Sequence, residues 1–231
     1  MKPYYQDSAV TIYHGDCRGI LPGVRADLAI TSPPYNLGDN HHTGNKRVFA
    51  YSDSMPEADY QSWQVEILNL IALSCRGDLF YNHKDRIKGG WLIKPDEWIG
   101  RTVWRQKQEI VWFQRSQNFD KCRFYPFTER IYWLSRDGSS TRFENRVNLH
   151  DVWNIKPEGT NGEHARAFPC EIPIRIIQCC EPNITLDPFM GSGTTLRAAK
   201  DLGRKAIGIE IEEKYCEIAA KRMAQEVLVF A

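Results

Sequence analysis

The chain has 231 residues, 42% of them hydrophobic, enough for one sizeable core in one domain. Lysine and arginine total 30 against 29 acids, a net charge of +1, so the overall balance neither demands nor excludes a nucleic-acid partner. No run approaches the ~18 uncharged apolar residues of a membrane span. The opening Met1-Lys2-Pro3-Tyr4-Tyr5-Gln6-Asp7-Ser8 has no apolar signal-peptide centre. A cytoplasmic protein without a membrane partner is therefore expected.

In chain order, Asp27 to Thr31 reads as a buried strand that Ser32-Pro33-Pro34 stops. Leu37 to Pro56, rich in Gly, Asn and His, reads as a mobile loop. Tyr60 to Ser74 sets Trp63, Ile67, Leu70 and Ile71 at helical spacing, and Asp78 to Tyr81 reads as the next strand. Glu109 to Phe113 and Arg130 to Leu134 look like two more strands. Between Arg101 and Arg146, ten basic residues stand against five acids, with ten aromatics interleaved. That mixture suits a nucleic-acid surface, and equally a solvated strand face above an aromatic core. Asn145 to Ala167 shows no periodicity. Beyond it come a helix at Glu171 to Cys180, a strand at Ile184 to Asp187 and a turn at Pro188 to Thr194. A helix at Thr195 to Leu202, ended by Gly203, leads to a strand at Lys205 to Ile209 and a helix at Glu212 to Gln225. Strands alternating with helices predict an α/β fold, a parallel sheet flanked by helices. The 7 cysteines are odd in number and show no CxxC spacing, so buried reduced thiols are expected rather than disulfides or a metal site.

Asp187-Pro188-Phe189-Met190-Gly191-Ser192-Gly193-Thr194-Thr195 joins a strand to a helix. Glycines let backbone approach a ligand, and a helix start offers N–H groups and a positive dipole end. Glu210 ends the next strand, near the ~20-residue offset at which an acid grips ribose hydroxyls in such folds. A phosphate-binding P-loop needs a lysine that Gly193-Thr194-Thr195 lacks. A dinucleotide fingerprint needs a third glycine where Leu196 stands. Adenosine with a carboxylate tail fits better than a pyrophosphate, and S-adenosylmethionine has that shape.

Thr31-Ser32-Pro33-Pro34-Tyr35 also follows a strand, so both motifs can face one cleft beyond the carboxyl ends of the sheet. The prolines remove two N–H donors, leaving carbonyls and the Ser32 hydroxyl as outward acceptors. An exocyclic amino group on a nucleobase is a poor nucleophile, because its lone pair is delocalised into the ring. Acceptors that hold its two hydrogens free that pair for in-line attack on a sulfonium methyl, and Ser32 and the Pro33 carbonyl suit this task. The target base must leave the stack at a cost of a few kcal/mol, and the flat face of Tyr35 is expected to offset part of it.

These residues resemble the β-group amino-methyltransferases of DNA, over nearly the whole chain. Ser32-Pro33-Pro34-Tyr35 is similar to their [DNS]PP[YFW] motif, and Asp187 to Thr195 to their cofactor motif. Gly203 to Glu210 is similar to the strand that carries the ribose-binding acid. His14-Gly15-Asp16-Cys17 is similar to a segment whose Asp contacts the cofactor adenine, and Phe168-Pro169 to Ile177 to the helix beside the methionine end. The resemblance implies a Rossmann-like class I methyltransferase with a mixed seven-stranded sheet, helices on both faces and permuted motif order. It implies Ser32, Pro33, Pro34 and Tyr35 as catalytic residues. It implies Asp16, Asp187, Phe189, Gly191, Ser192, Gly193, Thr194 and Glu210 as binders of S-adenosylmethionine, with no metal. Double-stranded DNA is the implied partner; a second copy of the chain and a cognate restriction endonuclease are partners known in such systems. The DNA-reading segment falls at residues 138–167, helped by the loop at 37–56. Within it, His164-Ala165-Arg166-Ala167-Phe168-Pro169 departs from a more compact family pattern.

In these families serine at the first motif position is typical of N4-cytosine enzymes and aspartate of N6-adenine enzymes, so the resemblance implies N4 of cytosine, with N6 of adenine as the alternative. C5-cytosine methylation needs a nucleophilic cysteine, and Pro169-Cys170 lies at a helix start and would leave the SPPY turn unused. Amino methylation of RNA or protein is disfavoured by Ser32. A cofactor- and DNA-binding module without activity is disfavoured by the intact Ser32, Tyr35, Asp187, Gly191 and Glu210.

Overall fold

A computed structural model describes residues 1–38, 53–114, 124–137, 150–157 and 169–225. Tyr5–Gln6 (β1) and Val10–His14 (β2) form an antiparallel pair, and the short helix Cys17–Ile20 (α1) starts under an Asp16 cap. Leu28–Thr31 (β3) follows, buried throughout. Helix Glu57–Ser74 (α2) opens with Glu57 and Asp59 at its positive end and returns the chain to Leu79–His83 (β4). A hairpin of Arg86–Lys88 (β5) and Trp91–Ile93 (β6) and one helical turn, Asp96–Ile99 (α3), precede Arg105–Phe113 (β7), Thr128–Ser135 (β8) and Val152–Asn154 (β9). The last stretch runs Glu171–Cys180 (α4), Ile184–Asp187 (β10), Thr194–Asp201 (α5), Lys205–Glu210 (β11) and Glu213–Ala224 (α6).

Among the described residues the main sheet runs β1-β2-β11-β10-β3-β4-β8-β7-β9. Its centre is the expected seven strands, from β2 across to β7; β1 and β9, of 2 and 3 residues, extend the edges. Strands β2, β11, β10, β3 and β4 are parallel, and β8 enters antiparallel between β4 and β7. Side chains alternate across the sheet as strand geometry requires. Leu28, Ile30, Phe80, Ile131 and Trp133 face α4, α5 and α6; Ala29, Leu79, Tyr81, Tyr132 and Leu134 face α1, α2 and α3. Helices therefore cover both faces. Among the described residues no helix is long and apolar enough to cross a membrane.

Topology decides where a ligand can enter. From β10 the chain passes through α5 to β11 on one side, and from β3 through α2 to β4 on the other. The paired strands β3 and β10 are thus the switch point, and open α/β sheets bind ligands beyond the carboxyl ends of such strands. Close packing of α5 on the sheet depends on Gly208 in β11, where a Cβ would stand 2.4 Å from Met190 Sδ and 2.7 Å from Leu196 Cδ2.

Of the expected mobile loop, residues 39–52 lie outside the described residues. Its ends are tied together: the Asp53 carboxylate accepts from the amides of Asn36 and Leu37, and Asn36 exchanges side-chain hydrogen bonds with the Met55 backbone. Of the expected DNA-reading segment, residues 138–149 and 158–167 lie outside the described residues, His164 among them. Residues 150–157 supply β9, and its Trp153 is buried against the core. In the basic, aromatic stretch the aromatic-core reading accounts for Trp104, Trp112, Tyr132 and Trp133, all buried, while Phe124 and Tyr125 stay exposed. Several of its cations are engaged internally: Arg130 pairs with Glu109, and Arg136 caps the carbonyls of Ala72 and Arg76. The expectation of buried thiols holds for Cys17, Cys75 and Cys216, and Cys122 lies outside the described residues; Cys170, Cys179 and Cys180 are only half-buried. Those three sit in or beside α4, an amphipathic helix with one face turned outward.

Candidate active site

The SPPY segment leaves β3 and turns its polar groups toward the tip of β4. Ser32 Oγ lies 2.9 Å from the Tyr35 hydroxyl and donates to Asn82 Oδ1 at 3.1 Å. The Tyr35 hydroxyl has acceptors in Asn82 Oδ1 at 2.7 Å and Glu129 Oε2 at 3.0 Å. Asn82 is itself oriented, donating Nδ2–H to the Arg130 carbonyl at 2.9 Å. Because Ser32 donates its hydrogen bond to Asn82, its lone pairs remain to accept from a ligand. The Pro33 carbonyl accepts no hydrogen bond among the described residues, whereas the Pro34 carbonyl is held by Tyr60. The Tyr35 ring does not stand open on both sides: His83 packs against it at 4.6 Å, tilted by 44°, and Lys84 Nζ lies 5.6 Å from its centre.

Beneath the segment is a buried polar relay. Trp98 donates to Tyr81, Tyr81 to Gln64, and Gln64 to the Tyr60 hydroxyl, which lies 2.7 Å from both the Pro34 carbonyl and His83 Nε2. Burial lowers the His83 pKa to about 3, so the ring is neutral. Its Nδ1 must then carry the proton that the Lys84 carbonyl accepts at 2.8 Å, leaving Nε2 as an acceptor. The single Tyr60 proton is thereby contested between Pro34 and His83, and the helix face of α2 is fastened to the SPPY turn.

On the neighbouring strand, Asp187 ends β10. Its Oδ1 accepts from Thr31 Oγ1 at 3.0 Å and the Phe189 amide at 3.1 Å, and its Oδ2 from Thr195 Oγ1 at 2.6 Å. Thr31 immediately precedes Ser32, so the two motifs are joined by a direct side-chain bond. Burial raises the Asp187 pKa to about 6 despite those three donors. Glu210 ends β11; its carboxylate accepts from the amides of Gly191 at 3.0 Å and Glu212 at 2.9 Å, and burial raises its pKa. Gly191 and Gly193 have φ of 50° and 82°, the left-handed region that favours glycine. A Cβ on Gly193 would also meet Ala219 Cβ at 3.0 Å.

Of the remaining expected cofactor residues, Phe189, Ser192 and Thr194 line the same turn with different exposure. Phe189 is half-buried, edge-on to Trp63 at 5.5 Å, and the Thr194 hydroxyl accepts from Arg222 at 3.2 Å. Ser192 is half-buried. Asp16 stands beyond β2, whose last residue pairs with Glu210, and it accepts from the Arg18 amide and guanidinium. The turn is less open than the glycines suggest: the amides of Phe189, Met190, Gly191 and Gly193 already donate to Asp187, Ile209, Glu210 and Met190. Asn82, Glu129, Tyr60 and His83 were not legible as site residues. The polar pair Asn82-His83 ending an apolar strand was a usable sign; Glu129 arrives from antiparallel β8, and nothing in its local sequence points there.

A family model described as DNA methylase, for N6/N4 methyltransferases, matches residues 26–221. Over 97% of its length the chain is 29% identical to the type II methyltransferase M.ScaI of Streptomyces caespitosus, covering 84% of that protein. The PvuII DNA methyltransferase (cytosine-N4-specific) superposes with a TM-score of 0.78, covering 99% of this chain and 91% of the other at 20% identity. M1.HpyAVI, in its complex with SAM, superposes with a TM-score of 0.64, covering 94% and 100% at 22% identity. The two superpositions establish a shared fold. With the family model spanning both strand-tip motifs, the chain belongs to the N6/N4 family of DNA methylases.

Proposed function

We propose that this chain transfers a methyl group from S-adenosylmethionine to N4 of a cytosine extruded from duplex DNA. The observation that carries the reading is the Thr31–Asp187 hydrogen bond, 3.0 Å, which holds the two motif-bearing strand tips against each other at the topological switch point. A donor and an acceptor bound there meet without any long-range movement. The glycine turn, with no Cβ at positions 191 and 193, and the carboxylates of Asp187 and Glu210 suit an adenosyl group bearing a positive charge. Bound S-adenosylmethionine supplies an electrophilic sulfonium methyl. Glu210 keeps lone pairs for ribose hydroxyls beyond the two amides it accepts, and Asp16 is the outer candidate for the adenine.

On the base side, Ser32 and the Pro33 carbonyl hold the two amino hydrogens and so disengage the nitrogen lone pair from the ring. Asn82 supports Ser32 by accepting its hydrogen bond, and Tyr35, fixed by Glu129 and Asn82, walls the base pocket. Pro34 and Tyr60 keep the turn from relaxing. No covalent intermediate is needed: the nitrogen would gain the methyl as the carbon–sulfur bond breaks to leave a neutral thioether, its surplus proton would pass to solvent, and positioning and fixed dipoles lower the barrier. The neutral Ser32 and the resemblance favour cytosine. Action in the cytoplasm beside a cognate restriction endonuclease is in keeping with the type II relatives. Incubation with labelled S-adenosylmethionine and unmethylated DNA, followed by mass spectrometry of the nucleosides, is the test. N4-methylcytosine is expected; N6-methyladenine would move the target to the other family base, and DNA binding without transfer would reduce the chain to a binding module.

A further inference from the structure

The hairpin β5–β6 begins three residues beyond His83, at the tip of β4, and ends in an exposed large apolar pair. Trp91 is 79% exposed and Leu92 51%. Consecutive strand residues face opposite sides, so Trp91 shares its face with Lys88, its partner across the turn, and Leu92 with the exposed Ile87. These side chains are not on a loose loop. The turn is Gly89-Gly90, with φ of 59° and 85°, the two-residue left-handed turn that matches strand twist. The root is anchored by Arg86, whose guanidinium makes two bonds to Glu57 at 2.9 and 2.7 Å and lies over the rings of Tyr60 and Trp98. Tyr60 is the residue that holds the Pro34 carbonyl. The hairpin is therefore a stiff arm built on the same support as the SPPY turn.

Charge identifies the occupant. From Lys84 to Lys94 there are four basic residues, Lys84, Arg86, Lys88 and Lys94, and one acid, Asp85. Arg86 is consumed by Glu57. Lys88 and Lys94 are exposed, Lys88 reaching Glu57 only at 3.7 Å. Lys84 lies 5.6 Å from the centre of the Tyr35 ring, so one cation is shared between the arm and the base pocket. An exposed tryptophan paired with an exposed lysine, on an arm rooted beside the Tyr35 ring, fits a polyanion that also offers aromatic faces. We infer that the β5–β6 hairpin is a DNA-contact arm. On this view Trp91 packs against the duplex beside the extruded base, Lys88, paired with it across the hairpin, contacts a flanking phosphate, and Lys94 at the far end of β6 contacts another. This assignment rests on the methyltransferase reading above.

The test uses the full chain and the duplex site that the wild-type enzyme methylates, found by sequencing unmethylated genomic DNA after treatment. Trp91→Ala, Trp91→Phe and the pair Lys88→Gln/Lys94→Gln are compared with wild type. Duplex affinity comes from anisotropy across a salt series, cofactor affinity from calorimetry, fold from the thermal midpoint and association state from sedimentation. Trp91→Ala should weaken duplex binding about tenfold or more, with Trp91→Phe recovering most of it, as base–aromatic contacts do. The lysine pair should flatten the salt slope by about 0.9 for each phosphate no longer neutralised. Cofactor affinity and thermal midpoint should not move. Duplex affinity and slope equal to wild type in both variants would overturn the assignment while leaving the methyltransferase intact. Loss of a dimer with unchanged duplex affinity would overturn it in favour of a second copy as occupant. Absence of methyl transfer by the wild type would remove the reading beneath it.

Discussion

Replacing Asp187 by asparagine should stabilise the protein and weaken its grip on S-adenosylmethionine at the same time. The carboxylate is buried, with its pKa raised from 3.8 to about 6. A raised carboxyl pKa means that the folded state holds the proton more tightly than the unfolded chain. Stability from this group is therefore fully present below about pH 4 and is lost as pH rises through about 6. A shift of roughly two units corresponds to about 3 kcal/mol. In the Asp187→Asn variant the side chain cannot ionise and escapes that loss. The amide oxygen can still accept from Thr31 and the Phe189 amide, and the amide nitrogen can donate to Thr195 Oγ1 where Oδ2 now accepts at 2.6 Å. For a chain of this length about 3 kcal/mol corresponds to roughly 6–12 °C in thermal midpoint at pH 7.5. Melting curves of both proteins from pH 3.5 to 8 give the difference directly. It should be near zero at pH 3.5 and widen in favour of the variant as pH rises from about 4 through 6. Calorimetric titration at pH 7.5 should show weaker binding of the sulfonium cofactor. A flat difference across that window, or a lower midpoint for the variant at pH 7.5, would refute the assignment of Asp187 as a strained, buried charge.

Ser32→Ala and Asn82→Ala should each lower single-turnover methyl transfer by about tenfold or more, the scale of one or two missing hydrogen bonds, while cofactor affinity stays put; equal declines in both quantities would contradict the base-side role. Tyr60→Phe releases the Pro34 carbonyl and leaves Gln64 without its acceptor, so stability should fall by about 1–3 kcal/mol in chemical denaturation and transfer should slow with it. Gly208→Ala forces a methyl into Met190 and Leu196 and should cost about 1–3 kcal/mol by the same assay; a neutral result would show that α5 can retreat from β11.

Local sequence determined more of this protein than its weak overall charge suggests. The runs at Leu28–Thr31, Ile184–Asp187 and Lys205–Glu210 are strands because continuous apolar residues bounded by prolines, glycines or acids suit a strand covered on both faces. The two chemical motifs were visible for the same reason: each follows such a run, and strand tips are where α/β sheets bind ligands. The short edge strands β1 and β9 and the hairpin arm carried too few residues for a period to register. Tertiary structure alone decided which tips are neighbours. Ser32 and Asp187 are 155 positions apart, and only the pairing of β3 with β10 brings them together. Asn82 and Glu129 join Tyr35 because β8 enters antiparallel beside β4, a choice set by packing of Phe80, Trp133 and their neighbours across the sheet rather than by any motif. The raised pKa of Asp187 belongs to the same class of fact: the carboxyl is ordinary in the chain and becomes costly to ionise only when the fold removes its water.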